Sequence, residues 1–464
     1  VETLLTQAPT SAGSLPEGTE RISSIAFANY AALKSVTVAG SVKEIGSGAF
    51  ANCENLALVK LEEGVEQLKM SAFASCRKLS TLHFPSTVTL VEEKVFDYCD
   101  KLENIYLTDV GAWVSIPNDK FLSEPIGHQL QGVRRFYLDG KLLTDVVIPE
   151  GVTAIRHTAF RGAEDITAIH YPSTITDLGN HSLDRCVNLQ EIYLEDVGAY
   201  LNAAWHEYNT NPMEVSQLPK KVYLKGKPLT ELVIPGSVSV IRHWAFYNCP
   251  DITSVKMENG VREIGRHAFE GCVNLKSITY PDTITWVGED SLLNCEQLTE
   301  VHFGDIKGWL NCEIENYYGN PVMANALEKN YYLKGKLITD LKVPEGTTQI
   351  PYFAFYNYTK LKTITLPESV SHIGRSAFEG CTGLEKITIP GKVETVPEKV
   401  FQGCTSLTEA VVSEGVKELD DAVFWGCSAL KKVTLPSTLE KAGFGCFYDC
   451  QALDEIYAAD IASW

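Results

Sequence analysis

Thirteen cysteines, ten histidines and several closely placed acids are the side chains of this sequence that could do chemistry. Cysteines at ligand spacing would hold zinc, and cysteines in an exported chain would form disulfides. Eleven of them, Cys53, Cys76, Cys99, Cys186, Cys249, Cys272, Cys295, Cys381, Cys404, Cys427 and Cys450, sit three residues after a recurring Phe or Leu anchor. Tyr30, Ala163 and Tyr358 take the same slot elsewhere. A slot that accepts Cys, Ala or Tyr is a packing slot, where unpaired cysteine serves as a small hydrophobe. The pattern predicts a column of buried thiols, with some disulfides as the alternative. Cys312 and Cys446 lie off the column. No CxxC pair or Cys/His cluster at ligand spacing occurs, so neither a metal site nor a cofactor is expected.

The histidines also fall on repeated positions. His157 and His243 precede the anchor by three residues, and His181 and His267 by two. These read as solvent-exposed turn positions. The sequence carries no G-x-S-x-G, P-loop, H-E-x-x-H or dinucleotide fingerprint, and no enzyme activity is expected from it.

The anchors themselves are Phe27, Phe50, Phe73, Phe96, Phe160, Phe246, Phe269, Phe355, Phe378, Phe401, Phe424 and Phe447, with Leu183 and Leu292 filling two further slots. Within a block they are 23 residues apart, and three gaps lengthen to 64, 63 and 63 residues. A fixed period in this range marks a solenoid, in which each coil buries its apolar face only against its neighbours. One repeat, 384–406, shows the grammar. Leu384, Ile387 and Ile389 give a short strand, Pro390 ends it, Val393 and Val396 form a second apolar pair, and Gly403-Cys404 turns into the next coil. Strands stacked in register would advance about 4.8 Å per coil.

This grammar resembles the leucine-rich repeat superfamily, whose L-x-x-L-x-L segment forms a concave strand. It is more closely similar to the BspA-like class, L-x-x-I-x-L-P-x-x-V-x-x-I-G-x-x-A-F-x-x-C, from about Leu15 to Trp464. The resemblance implies a right-handed α/β leucine-rich repeat solenoid, strand-rich with short helical pieces, of about 14 anchored repeats. Residues 1–14 would form a lead and 15–464 one solenoid. The resemblance further implies a bacterial cell-surface or secreted protein that engages host proteins or other cells.

Three long units span about 107–147, 194–233 and 303–342. Each opens on Asp (Asp109, Asp196, Asp305), and each later carries Asp-Gly-Lys or Lys-Gly-Lys: Asp139-Gly140-Lys141, Lys225-Gly226-Lys227 and Lys334-Gly335-Lys336. The Asp predicts a helix N-cap and the Gly a tight hairpin. Residues 458–464 open a fourth such unit, so more protein is expected beyond Trp464. Val1 follows no leader, so a signal peptide is expected to have been removed.

In L-x-x-I-x-L, the residue between the inward pair faces outward. That column contains Lys60, His83, Tyr106, His170, Tyr193, Lys256 and His302, richer than the threonines and valines of the C-terminal repeats. These are the candidate ligand-binding residues, for a host or neighbouring-cell protein or glycan; an ordinary β-sheet surface is the alternative. On the same face Glu191 with Glu231, and Glu300 with Asp340, read as acid pairs across neighbouring coils. They could be surface charge, a weak cation site or an acid–base pair.

At 464 residues, 45% hydrophobic and 21% charged, the chain has a globular composition. A formal net charge of −19 without a basic stripe argues against nucleic acid and against docking to anionic lipid. No apolar run approaches the roughly 18 residues of a membrane span. The expectation is a monomeric binding or adhesion module, with a rigid spacer presenting other domains as the alternative.

Overall fold

A computed structural model describes residues 4–5, 18–117, 132–205, 211–315 and 319–458. The lead, except for its two-residue strand Leu4–Leu5, and the incomplete fourth long unit, except for its first residue, lie outside the described residues. The chain falls into two compact units, Val1–Pro228 and Leu229–Trp464. In each, the chain winds as a strand-rich solenoid of stacked parallel coils.

The coil is built from one four-residue strand and one two-residue strand. In the first unit the principal strands begin Ser35–Val38, Leu58–Leu61, Thr81–Phe84 and Asn104–Leu107, each parallel to the next. Ser35 pairs with Leu58 and Val36 with Val59, so the register offset equals the repeat length. The short strands Glu44–Ile45, Gln67–Leu68 and Leu90–Val91 form a second parallel sheet on another side of the coil. The anchor turn is tied as well: the Phe50 amide donates to the Ala72 carbonyl at 2.8 Å and the Phe73 amide to Val95 at 2.9 Å. Every side of the coil therefore holds the next coil at the same offset.

That offset puts like residues on like residues. The rings of Phe27, Phe50, Phe73 and Phe96 stack at centroid spacings of 5.0, 5.1 and 5.5 Å. In the second unit Phe355, Phe378, Phe401, Phe424 and Phe447 repeat the column at 5.5–5.6 Å. Such spacing suits aromatic stacking, worth about 0.5–1.5 kcal/mol per pair beyond area burial. Beside the rings run the thiols. Cys53 donates its S–H to the Phe27 carbonyl at 3.1 Å, and Cys76, Cys99, Cys404 and Cys427 do the same to the Phe one coil back. All thirteen cysteines are free, and only Cys450 is not fully buried. The thiol column is therefore a hydrogen-bonded packing element.

Close backbone approach explains the glycine in V-x-x-I-G. A Cβ on Gly265 would lie 2.5 Å from the His243 amide nitrogen of the preceding coil. No side chain fits that gap.

The long units fold as their sequence predicts and add one feature. Helices α1 (Val110–Val114), α2 (Val197–Asn202) and α3 (Ile306–Leu310) are capped by Asp109, Asp196 and Asp305, whose carboxylates accept backbone amides at 2.6–2.8 Å. Trp113 of α1 is buried edge-on against Phe84 at 5.0 Å, and its indole donates to the Ala159 carbonyl at 3.0 Å. Trp309 of α3 packs 4.7 Å from Tyr280. The hairpins turn at Asp139-Gly140, Lys225-Gly226 and Lys334-Gly335, with φ of 50–51° followed by 73–74°. Two successive left-handed residues define the turn that matches strand twist. The added feature is the first strand of each hairpin. Arg135–Leu138, Lys221–Leu224 and Asn330–Leu333 join the principal sheet as parallel strands. Each long unit thus supplies a rung that no anchor phenylalanine marks.

Burial pushes the Cys272 thiol up to about 12 and that of half-buried Cys450 to about 11. A thiol reagent applied at about pH 8 meets almost no thiolate in the folded chain. We expect Cys450 to react first and the column cysteines only on unfolding. Rapid modification of several column thiols under native conditions would contradict this packing.

Candidate functional site

The outward positions of the principal strands converge on three aromatic ladders. In the first unit His83 faces Tyr106, and Tyr106 faces Tyr137, in strand register. Their rings stack at 4.4 and 4.4 Å, with interplanar angles of 8° and 10°. The second ladder, in the same unit, stacks His170 on Tyr193 at 3.9 Å and Tyr193 on Tyr223 at 4.4 Å. The third, in the second unit, stacks His302 on Tyr332 at 4.6 Å. Each ladder ends on the tyrosine that a long-unit hairpin contributes.

Of the sequence-derived candidates, His83, Tyr106, His170, Tyr193 and His302 lie in ladders. Lys60 is exposed, takes the register position before His83 and lies 3.5 Å from Glu62. Lys256 is exposed between Val233 and Thr279 and joins no ladder. Tyr137, Tyr223 and Tyr332 were not among the candidates. Their signal was present: Phe136-Tyr137-Leu138, Val222-Tyr223-Leu224 and Tyr331-Tyr332-Leu333 repeat the apolar–x–apolar strand pattern.

All ladder rings are half-buried. Stacking occupies their faces, so the exposed parts are ring edges and polar tips. Those tips are positioned by neighbours. Tyr193 donates to Glu191 at 3.0 Å, and Tyr137 to Asn104 at 3.3 Å. His170 lies 2.9 Å from Asp145 and His302 3.2 Å from Glu300. Burial first, and then the bond to Glu191, push the Tyr193 phenol up to about 12, so it stays a neutral donor. Burial first, and then the Lys60 ammonium, hold His83 below its ordinary range.

The acid pairs do not form, because the hairpin strand takes the place expected for the second acid. Glu191 stands between Ala168 and Lys221, with the Lys221 ammonium 4.0 Å away. Glu231 pairs in register with Ser254. Glu300 stands between Ser277 and Asn330. Asp340 sits beside Thr363 and accepts from the Thr363 and Thr339 hydroxyls at 2.6 and 2.9 Å. Among the described residues no group of three or more His, Cys, Asp or Glu is placed to hold a metal.

The turn histidines also need correction. His243 is exposed, as expected, and accepts the Arg266 amide at 2.8 Å. His157, His181 and His267 are half-buried. His267 stacks on Trp244 at 5.0 Å and lies 2.6 Å from Glu270. Stacking of like turns covers what a single coil would leave open.

Parallel coils of this period, with an L-x-x-I-x-L strand and a Phe–Cys turn, define a leucine-rich repeat solenoid. The BspA type leucine rich repeat model matches residues 10–123, 133–223, 216–308 and 326–454, and the chain belongs to that family. A leucine-rich repeat protein of Bacteroides ovatus is 21% identical, over 95% of this chain and 88% of that one, with a TM-score of 0.34. A leucine rich cell surface protein of Faecalibacterium prausnitzii is 23% identical, over 100% and 89%, with a TM-score of 0.31. Comparison with curated proteins gives no match. Among the described residues, no helix is long and apolar enough to cross a membrane.

The depressed His83 imidazole carries a sign. As pH falls, the unfolded chain takes up this proton before the folded chain does. The contribution is therefore present above the ordinary histidine value of about 6.5 and lost as pH drops through the lowered one. Lys60→Ala should raise the His83 midpoint measured by NMR, short of full recovery because burial remains. An unmoved midpoint would show that the ammonium does not act on the ring.

Proposed function

We propose that the chain is a non-enzymatic binding module of a cell-surface or secreted bacterial protein. Its partner, a protein or glycan of a host or neighbouring cell, is taken on the ladder faces of the principal sheets. The observation that carries this reading is the presence of three ladders built from unlike repeats yet ending on the same hairpin tyrosine. Tyrosines held by their neighbours lose little side-chain entropy on binding, and rigid Tyr is a favoured contact residue. Lys60 and Lys256 would contribute charge at the margin of the site. The family membership supports the localisation.

A rigid spacer is the second reading. It draws on the plain column Thr365, Thr388, Val411 and Thr434 in the C-terminal strands.

The deciding experiment is a binding screen of the full chain against extracellular proteins and glycans. Its control is a variant with Tyr106, Tyr137, Tyr193 and Tyr223 all changed to Ala. Losing even one such anchor costs more than about 1 kcal/mol, so the variant should bind a genuine partner at least about tenfold more weakly. Undiminished binding would exclude the ladders of the first unit, and a screen without hits would favour the spacer.

A further inference from the structure

One coil places an asparagine where others use a glutamate. Glu63-Gly64, Glu150-Gly151, Glu345-Gly346 and Glu414-Gly415 each occupy the turn after a principal strand, and the counterpart in another coil is Asn259-Gly260, the only Asn-Gly in the sequence. The acid of this slot holds the next coil. The carboxylates of Glu63, Glu150 and Glu414 accept the amides of Ser86, Ser173 and Ser437 at 2.8–2.9 Å. Asn259 does the same through Oδ1, which accepts the Asp282 amide at 2.9 Å, while its Nδ2 donates to the Asp282 carboxylate at 3.4 Å. Asp282 in turn accepts the Asp305 amide at 2.6 Å, so this line of bonds ends at the residue that caps α3. Asparagine thus fills the acid's role beside an acid that would repel a carboxylate.

The glycine after it is imposed by the stack. Gly260 has a φ of 124°, and a Cβ there would lie 2.0 Å from the Gly236 carbonyl oxygen of the preceding coil. A glycine following asparagine leaves its amide nitrogen sterically open to the asparagine side chain. Here that amide is committed elsewhere: it donates to Thr283 Oγ1 at 2.9 Å, and Thr283 donates to the Val261 carbonyl at 2.6 Å. Asn259 is exposed to water. Both reacting groups of a deamidation are therefore adjacent in the chain, and the next coil holds each of them.

We propose that Asn259 is a spontaneous deamidation site that coil stacking restrains through Thr283. When the Gly260 amide leaves Thr283 and gives its proton to solvent base, its nitrogen attacks Cγ of Asn259. The N–Cγ bond forms, the Cγ–Nδ2 bond breaks, and the side-chain amide leaves as ammonia after taking up a proton, which yields a cyclic imide. Solvent water opens that ring at either carbonyl, giving aspartate or isoaspartate. Either product alters the contact between coils. Aspartate at this position loses the donor to Asp282 and sets a like charge against it, whereas isoaspartate adds a carbon to the main chain within a register that every coil shares. The inference is independent of the ladder-binding reading.

The test incubates the full chain in mildly alkaline buffer and follows the Asn259 peptide by mass spectrometry, for conversion of amide to acid. Chain unfolded in guanidinium should convert faster than folded chain. Thr283→Val frees the Gly260 amide and should raise the folded rate about fivefold, the factor that one ordinary hydrogen bond is worth. Thr285→Val removes a neighbouring bond to the Arg262 carbonyl at 3.1 Å, leaves Gly260 held, and should not raise the rate. Circular dichroism checks that both variants fold, and the comparison of folded with unfolded wild-type chain needs no variant. Equal rates in folded and unfolded chain, or a Thr283→Val rate no faster than that of Thr285→Val, overturn the restraint by stacking. No conversion of Asn259 in the unfolded chain overturns the site itself.

Discussion

Register between coils is the constraint on which the rest of this structure depends. Hydrogen bonds tie each coil to the next along the principal strand, along the short strand and at the anchor turn. With every side held at one offset, a residue type written once per repeat becomes a column in space. Inside the coil this produces the phenylalanine stack and the line of thiols bonded to phenylalanine carbonyls. Outside, the same rule converts single aromatic residues, each unremarkable in its own strand, into ladders. A column also multiplies the effect of error, since a one-residue slip would turn every inward side chain outward.

The long units show how the rule accommodates variation. Their extra length does not simply bulge out. Part of it becomes a capped helix that buries Trp113 or Trp309, and part becomes a hairpin whose first strand enters the sheet as a further rung. The ladders are thereby extended to Tyr137, Tyr223 and Tyr332, and each hairpin tip is held beside a ladder. Hairpin tips are free to differ in charge because they lie outside the stacked core. Surface chemistry can therefore change from one long unit to the next while the fold stays the same.

Much of this was legible in the sequence. The anchor spacing gives the solenoid, the alternation at Ile387 and Ile389 gives the strand, and Asp305 and Lys334-Gly335 give the cap and the turn. The thiol column follows from a slot that also accepts Ala163 and Tyr358. What was not legible depended on counting rungs. Glu300 and Asp340 look adjacent when strands are assigned one per anchor, and the Asn330–Leu333 strand shows that a rung stands between. The same miscount hid Tyr332. The half-burial of His267 was missed for a related reason, since it comes from a neighbouring coil's Trp244 and not from any local signal.

The central claim is that hairpin tyrosines are working members of the ladders, coupled to the rings beside them. A double-mutant cycle on Tyr193 and Tyr223, read from urea unfolding, tests it most directly. Stacked rings at 4.4 Å should give a coupling of about 0.5–1.5 kcal/mol. Additive effects of the two alanine substitutions would contradict the claim and remove the hairpin tyrosines from the ladders.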